Sequence, residues 1–324
     1  MSAHLFFAVP DYRKSSQKEQ YMGKYVVKRV LLAIVTIFIV CVITFFTMNA
    51  IPGGPFAGEK AKSPEVQAAL EKRFNLDKPV GQQFVIYMKN LLHGDFGISA
   101  KTGREISETI WSKFSVSAKL GVMAVLLAVF LGVVFGSIAA LCRNRWPDRL
   151  SSFLSTLFTS LPSFVLGSFL LVIFSVKLGL VKAWSPTNQN LILPVIALAM
   201  YPSAYITRLT KTSMLDVMGQ DYVRTARAKG VAQWKVLFVH TLRNALIPVV
   251  TYLGPMIAGV LTGSLVIEQI FTIGGLGAEF VQSITNRDYP MIMGVTIFLA
   301  VFMVTMNLLT DIVYKLIDPR INLD

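Results

Sequence analysis

The feature that most constrains this chain is the clustering of its uncharged residues. Six windows of more than 20 residues contain no Asp, Glu, Lys or Arg, and about 20 apolar residues suffice for a helix to cross the hydrocarbon core of a bilayer. The six windows are 30–58, 120–142, 150–176, 183–207, 244–267 and 289–310. Hydrophobic residues make up 54% of the chain and charged residues only 15%, against about 25% charged residues in soluble domains. These values exclude a soluble enzyme, a disulfide scaffold and a disordered tail, and they predict an all-α integral membrane protein with six transmembrane helices.

The distribution of positive charge predicts the orientation in the membrane. If the N-terminus is cytoplasmic, six spans return the C-terminus to the same side. The inner segments then carry 18 Lys and Arg and the short outer loops carry three, as the excess of positive charge on cytoplasmic loops requires. The basic inner face suits anionic lipid. A nucleic-acid site would need a basic groove with stacking aromatic side chains, and we find no such pattern.

The windows divide the chain into five parts. They are a cytoplasmic N-terminal tail 1–27, transmembrane helix 1 at 28–51, an extracytoplasmic segment 52–119, the membrane core 120–314 with transmembrane helices 2–6 and a cytoplasmic loop 208–243, and a cytoplasmic C-terminal tail 315–324. Short helices are expected in the extracytoplasmic segment at 64–74, capped by Ser63, and at 80–92, and an amphipathic stretch at 104–114 leads into span two.

Prolines and glycines inside the windows predict how the helices pack. Pro162 and Pro194 interrupt spans three and four, and each either kinks a packed helix or forms a bend that lets a pathway open. Two GxxxG pairs, Gly132 with Gly136 and Gly259 with Gly263, predict close approach of helix backbones.

The cytoplasmic loop 208–243 is the most informative stretch. Asp221 can cap a helix over 222–229, Gly230 can end it in the left-handed conformation, and a second helix is expected over about 233–246. About 35 residues exceed what a simple connection between spans needs. The residues alone leave two interpretations, a docking surface for a soluble partner or a lipid-facing amphipathic element.

Two sequence segments, one within this loop and one that continues past its end, resemble the signature of a known family. Residues 221–230, DYVRTARAKG, and 240–248, HTLRNALIP, resemble the coupling-loop signature of ABC importer permeases, and are most similar to the peptide/nickel branch. Further ordered matches lie at 50–55, 94–97, 268–271, 275–277 and 286–290. The generic importer signature begins Glu-Ala-Ala where this chain has Arg224-Thr225-Ala226, and the gap before Pro248 is longer than in sugar-importer permeases. Both departures are similar to the peptide branch.

The resemblance implies a permease subunit that moves peptides, with oligopeptides favoured, across the cell membrane of a bacterium by alternating access. Nickel or metal chelates are the alternative cargo within the branch. The implied partners are a second homologous permease subunit, two cytoplasmic ABC ATPases, an extracytoplasmic substrate-binding protein and membrane lipid, with no nucleic acid.

The resemblance also implies site residues. Coupling to the ATPase would involve the residues of the short helix and its end, namely Asp221, Tyr222, Arg224, Thr225, Ala226, Lys229 and Gly230. Tyr222 would be an apolar anchor, Arg224 and Lys229 would meet acidic or carbonyl groups, and Gly230 would set the angle between two helices. An outer gate region would comprise Glu268, Phe271, Gly275, Arg287 and Asp288. The alternative for this region is an ordinary interfacial loop with Arg287 and Asp288 as solvated charges.

The sequence carries no motif of its own for ATP hydrolysis or covalent chemistry. It has no G-x-x-x-x-G-K-[ST], H-E-x-x-H or G-x-S-x-G, and its two cysteines form no C-x-x-C pair. We therefore expect no enzyme activity, no catalytic or metal-binding residue and no bound cofactor, with ATP and Mg²⁺ on the partner ATPases. A secondary transporter or channel and a membrane-embedded enzyme are the other classes. The lack of an ionisable residue in the middle of any window counts against an ion-coupled transporter.

Overall fold

The computed structural model describes residues 12–51, 54, 56 and 64–317, and it describes side-chain burial for 27–51, 54, 56, 65–66, 68–261 and 264–312. The predicted cap Ser63, residues 1–11 of the predicted N-terminal tail and residues 318–324 of the predicted C-terminal tail lie outside these residues. The helices are α1 Tyr12–Ala50, α2 Pro64–Arg73, α3 Val80–Leu92, α4 Ile106–Leu141, α5 Trp146–Ser160, α6 Ser163–Leu170, α7 Ile192–Met218, α8 Asp221–Ala228, α9 Gln233–Lys235, α10 Arg243–Ala245, α11 Ile247–Ile270, α12 Leu276–Thr285 and α13 Tyr289–Ile317. The described part of the chain has no strand, and the prediction of an all-α membrane protein is confirmed.

Four uninterrupted helices are long and apolar enough to cross a membrane, and they lie in α1, α4, α7 and α13. Two bent pairs qualify when each is counted as one span. One joins α5 to α6 and its π-helical continuation Leu171–Lys177 at 102°, and the other joins 233–245 to α11 at 46°. The described residues therefore contain up to six spans.

The centre of the structure is the packing of α4 against α7. Small residues of α4, including Ala124 and Ala128, are fully buried there. A Cβ on Gly132 would lie 2.5 Å from Cβ of Ile206, and one on Gly136 would lie 2.6 Å from Cβ of Thr210. The first predicted GxxxG pair is thus a close helix contact, which a larger residue would prevent.

The second predicted GxxxG pair behaves differently. A Cβ on Gly259 would meet no atom within 4 Å, so among the described residues no other helix approaches closely on the side where that Cβ would lie. The side-chain environment of Gly263 lies outside the described residues. Gly259 instead lies beside a cavity between α5, α7 and α11.

Several helix boundaries differ from the predicted windows. Helix α4 begins at Ile106 rather than near 120, because the amphipathic stretch at 104–114 and span two form one continuous helix. Span three is broken at Leu161–Pro162, since Pro162 cannot donate a helical hydrogen bond. Helix α7 begins only at Ile192, after the largely irregular loop 178–191. The ends of these helices fix where the connecting loops begin and end, and several candidate functional residues lie beside those loops.

The outer segment packs on the ends of α1 and α13. Helix α3 spans Val80–Leu92, as predicted. Phe45 of α1 contacts Phe84 of α3 edge-to-face with ring centroids 5.3 Å apart. Met293 of α13 belongs to the same buried cluster. The segment is therefore joined to two spans by an apolar core of its own.

Candidate functional site

The candidate coupling site is helix α8, which follows the end of α7 after the turn Gly219-Gln220. Gln220, and not Asp221, precedes the first helical residue, and its carbonyl accepts hydrogen bonds from Val223 N at 3.1 Å and Arg224 N at 3.2 Å. The prediction that Asp221 caps the helix from outside is therefore wrong by one position. Asp221 is the first helical residue, where its charge still favours the positive end of the helix dipole.

The C-terminal end of α8 is set by Gly230. Its φ is +73°, in the left-handed region, as predicted. The backbone then turns back, with Gly230 N donating to Arg227 O at 3.0 Å and Val231 N donating to Ala226 O at 3.1 Å. A side chain at this position would be strained by the backbone conformation even though open space surrounds it. Gly230 thus determines the direction in which the chain leaves α8.

Helix α8 has one buried face and one exposed face. Val223 is 0% exposed and Ala226 is 8% exposed, and both pack against Val236 in a small apolar cluster. Ala226 was predicted among the coupling residues, and the structure places it in the support of the helix rather than on its outer surface. The exposed predicted residues are Asp221, Tyr222, Arg224, Thr225, Lys229 and Gly230.

A side-chain hydrogen bond joins α8 to the residues that lie just before the start of α11. Asn244 Nδ2 donates to Tyr222 Oη at 3.0 Å and to His240 O at 3.0 Å. Asn244 lies in α10, three residues before α11 begins at Ile247. Tyr222 is therefore an attachment to the membrane helix as well as an exposed ring, which the spacing of 22 residues in sequence did not reveal.

The exposed side of α8 carries mixed charge. Arg224 lies 3.8 Å from Asp221 in an i,i+3 pair at the surface. Such an exposed pair contributes little to stability, so both groups are available to a partner. Thr225 Oγ1 donates to Asp221 O at 2.8 Å, which is a bond within the helix.

The predicted outer gate residues lie around Glu268, two residues before the end of α11. Glu268 is 0% exposed. Its Oε1 accepts hydrogen bonds from Ser117 Oγ of α4 at 2.6 Å and Ser264 Oγ of α11 at 2.7 Å, and its Oε2 accepts from Ala278 N of α12 at 3.0 Å. One buried carboxylate therefore joins three helices.

Glu268 and Ser117 together cap the N-terminus of α12. Gly275 is the N-cap residue and has no side chain to offer. Leu276 N donates instead to Ser117 Oγ at 2.8 Å, while Glu268 accepts from Ala278 N, so donors that a helix start leaves unpaired are satisfied from other helices. A Cβ on Gly275 would lie 2.5 Å from both Glu268 Oε2 and Ser117 Oγ. Gly275 is thus required by the close approach of that carboxylate.

Phe271, the C-cap residue of α11, packs in the core. It is 2% exposed and belongs to the main core cluster. The predicted gate residue Phe271 is thus a packed core side chain in this structure.

Asp288 forms a second junction, between the predicted extracytoplasmic segment and α13. It is 4% exposed and accepts hydrogen bonds from Ser99 Oγ, from Ala100 N at 3.1 Å and from Met291 N at 3.4 Å. It therefore caps α13 and holds the outer segment to it, so the interpretation of Asp288 as a solvated charge is wrong. Arg287 is half-buried and has φ +57°, in the left-handed region.

An inner ion pair lies between α5 and α7. Asp148 is 6% exposed and forms an ion pair with Lys211, whose Nζ also donates to Ser152 Oγ at 3.1 Å. Asp148 Oδ2 accepts from Asn144 N at 2.9 Å as well. The sequence did not reveal this ion pair, because Lys211 lies 63 positions after Asp148 in the chain.

Helix α11 connects the two predicted sets of residues. The coupling residues adjoin its start through Asn244, and the outer gate region surrounds its end through Glu268. A helix of 24 residues is about 36 Å long. Helix α11 therefore lies between the two predicted sets of residues.

Comparison with known proteins identifies the family. The family model described as "Binding-protein-dependent transport system inner membrane component" matches residues 132–323, and the model described as "Binding-prot-dependent transport system membrane comp, N-term" matches residues 22–121. The chain belongs to this family. It is a multi-pass protein of the bacterial inner membrane and a transport component rather than an enzyme.

Individual relatives and one solved structure agree. This permease is 44% identical over 304 residues to the dipeptide transport system permease protein DppB of Bacillus subtilis, covering 93% of this chain and 99% of that protein. It is 42% identical over 305 residues to the oligopeptide transport system permease protein OppB of Haemophilus influenzae, covering 93% and 99%. An inward-facing structure of the MetNI methionine ABC transporter matches with a TM-score of 0.53 at 15% identity, covering 65% of this chain and 97% of that one. At that identity the last match indicates the shared fold alone.

Proposed function

We propose that this permease carries peptides into the cell as the membrane subunit of an ATP-driven ABC importer. Two relatives that align over almost their whole length are named for dipeptides and oligopeptides, which supports peptide cargo and does not favour nickel or metal chelates. The proposed partners are a second homologous permease, two cytoplasmic ABC ATPases that hold ATP and Mg²⁺, and an extracytoplasmic substrate-binding protein. We propose the membrane orientation in which both the N-terminus and the C-terminus are cytoplasmic.

The observation that carries the coupling part of this proposal is the attachment of α8 to α11. The buried face of α8 rests on Val236, Tyr222 is hydrogen-bonded to Asn244, and Gly230 sets the turn between the helices. An exposed short helix held in these three ways can transmit a push from a soluble partner to a membrane span as a rigid body. A lipid-facing element would be expected to expose an apolar face, whereas α8 buries Val223 and exposes Asp221 and Arg224.

The outer network supports the other half of an alternating-access cycle. Glu268 ties α12 to α11 and α4, and Lys113 of α4 lies 3.5 Å from Glu279 of α12. We propose that α12 and its flanking loops form an outer gate near the docking face of the binding protein. Motion of α11 would then open or close this gate, because α12 cannot separate from α11 without breaking buried hydrogen bonds.

The test is reconstitution of the complete complex in proteoliposomes. The permease would be co-purified with its second permease and its ATPases, and uptake of a radiolabelled tripeptide would be measured with the binding protein outside and ATP inside. The proposal expects uptake that requires ATP and every subunit. Equal uptake by this permease alone, without an ATPase, contradicts it and favours a secondary transporter or channel.

A further inference from the structure

A cavity of about 480 Å³ lies where span three is broken. The broken backbone between α5 and α6 contributes Leu161 and Pro162 to its wall, and α7 and α11 form the other walls. Its volume falls within the range of about 300–1,000 Å³ that is usual for ligand pockets. The coupling residues and the outer gate region do not line it.

The cavity lies within the membrane-spanning part of the chain. Helix α5 has 15 residues before the break, about 22 Å of helix, which is shorter than the hydrocarbon core of about 30 Å, so the break falls inside span three. On the opposite wall, Gly259 lies 12 residues after Ile247 and 11 before Ile270, the two ends of α11. Non-helical backbone at this depth is tolerated where it is buried in protein or lines a water-filled cavity.

The wall of the cavity is mostly apolar and carries no charge. None of its 13 residues is Asp, Glu, Lys, Arg or His. Tyr201 and Tyr252 line it, and each has a hydroxyl group that can donate and accept a hydrogen bond. Pro202 has no N–H, so the carbonyl of Leu198, which also lines the cavity, lacks its usual helical donor.

This chemistry suits the backbone of a peptide. An extended peptide presents N–H donors and C=O acceptors at regular intervals, and the wall offers acceptors and hydroxyl groups without a fixed charge. Peptides with acidic, basic and neutral side chains would therefore be treated alike. A lipid acyl chain would make no use of the hydroxyl groups, and a metal ion would find no charged ligand there.

We propose that this cavity is a transit site that contacts the backbone of the peptide as it crosses the membrane. The proposal rests on the proposed function, because it assigns the place where the cargo meets this subunit. It adds specific contacts, namely the Tyr201 and Tyr252 hydroxyl groups and the Leu198 carbonyl, with Gly259 keeping the space open.

Gly259 provides a direct test with a matched control. A Cβ at this position meets no atom within 4 Å, so Gly259→Ala is expected to fold and to transport tri-alanine within twofold of wild type. Gly259→Phe places a ring in the cavity and is expected to lower uptake at least tenfold in the reconstituted complex. Gly81→Phe, at a glycine of α3 with equally open surroundings, controls for added bulk and is expected to leave uptake unchanged.

A second measurement does not depend on the bulky variant. Gly259→Cys in the assembled complex is expected to react with a small maleimide during ATP-driven turnover, and saturating tri-alanine is expected to slow that reaction. The wild-type complex, which retains Cys41 and Cys142, measures background labelling. Tyr252→Phe, with the ring retained, is expected to lower uptake about three- to tenfold through the loss of one hydrogen bond.

The outcomes separate the transit site from the proposed function. Normal tri-alanine uptake by Gly259→Phe, or no protection of Gly259→Cys by tri-alanine, contradicts the transit site while wild-type uptake upholds peptide import. Loss of the second permease from the Gly259→Phe complex contradicts it too, because the cavity would then be a contact between subunits. Absence of ATP-driven uptake by the wild-type complex contradicts the proposed function, and the transit site with it.

Discussion

The hydroxyl group of Tyr222 accepts a hydrogen bond from the side-chain amide of Asn244 at 3.0 Å. This contact joins α8, an exposed helix of eight residues, to α10, which lies just before the long helix α11 of span five. Val223 and Ala226 on the other face of α8 pack against Val236. The short helix therefore has a polar and an apolar attachment to the same region, and it cannot rotate freely about the chain that leads into it.

The first prediction concerns this hydrogen bond. Tyr222→Phe keeps the ring and removes the hydroxyl group, so α8 should still fold while its attachment to Asn244 weakens. We expect the number of peptides imported per ATP hydrolysed to fall about three- to tenfold, the size of one hydrogen bond, with the ATPase rate retained. Thr212→Val is the control, because the Thr212 hydroxyl bonds only to Arg208 O within α7. An unchanged ratio of import to hydrolysis in Tyr222→Phe would show that the bond transmits nothing.

The second prediction concerns the left-handed turn at Gly230. Gly230→Val forces a β-branched residue into φ +73°, which costs about 1–3 kcal/mol and redirects the chain after α8. We expect the complex to assemble but to import less than a tenth of the wild-type amount of peptide. Gly179→Val carries the same type of strain, at φ +62°, in the loop before α7 and away from α8. Equal loss of import in both variants would indicate general destabilisation rather than a role in coupling.

The third prediction concerns the buried carboxylate of Glu268. Glu268→Ala leaves the Ser117 hydroxyl group and the Ala278 N–H without their acceptor, while Ser264 Oγ retains Leu261 O at 3.2 Å, and each unsatisfied buried group costs about 1–3 kcal/mol. We expect a clear fall in the melting temperature of the purified permease and loss of peptide import. Glu108→Gln is the control, since Glu108 is an exposed carboxylate in the first turn of α4 and exposed substitutions usually change stability by about 0.5 kcal/mol or less. A Glu268→Ala variant that melts like wild type would contradict the capping role.

The fourth prediction concerns the ion pair between Asp148 and Lys211. Removing one partner leaves the other poorly paired in a site where Asp148 is 6% exposed. Loss of one partner of a fully buried pair costs about 3–5 kcal/mol, and we expect less here because Lys211 is 25% exposed at its side chain. The double variant Asp148→Asn with Lys211→Met should be more stable than the sum of the single effects predicts. Strictly additive melting temperatures would show that the pair contributes no coupling energy.

Much of the fold could be predicted because membrane crossing leaves a strong mark on a sequence. A long apolar window without charged residues is typical of a transmembrane helix, so the spans containing Cys41 and Ala128 were identifiable without any tertiary information. The stop at Gly230 was also predictable, since a glycine after a short helix with basic residues in its last turn indicates a left-handed end.

Other features depended on residues far apart in the chain. Ser117 and Glu268 are separated by 151 positions, and a serine in an apolar helix has no pattern that predicts its acceptor. The burial of Ala226 depended on where Val236 would lie after the turn at Gly230. The size of the bend at Pro162, 102°, depended on whether the neighbouring helices leave space for it.

The sequence by itself determined the number of long apolar windows, the short helix that ends before Gly230 and the family signature, because each depends on neighbouring residues. The tertiary structure alone decided that Glu268 is shared by three helices, that Asp288 is buried and that Gly259 borders an open space. Those outcomes depend on how close helices from distant parts of the chain approach one another, and that distance is set by packing rather than by local preference.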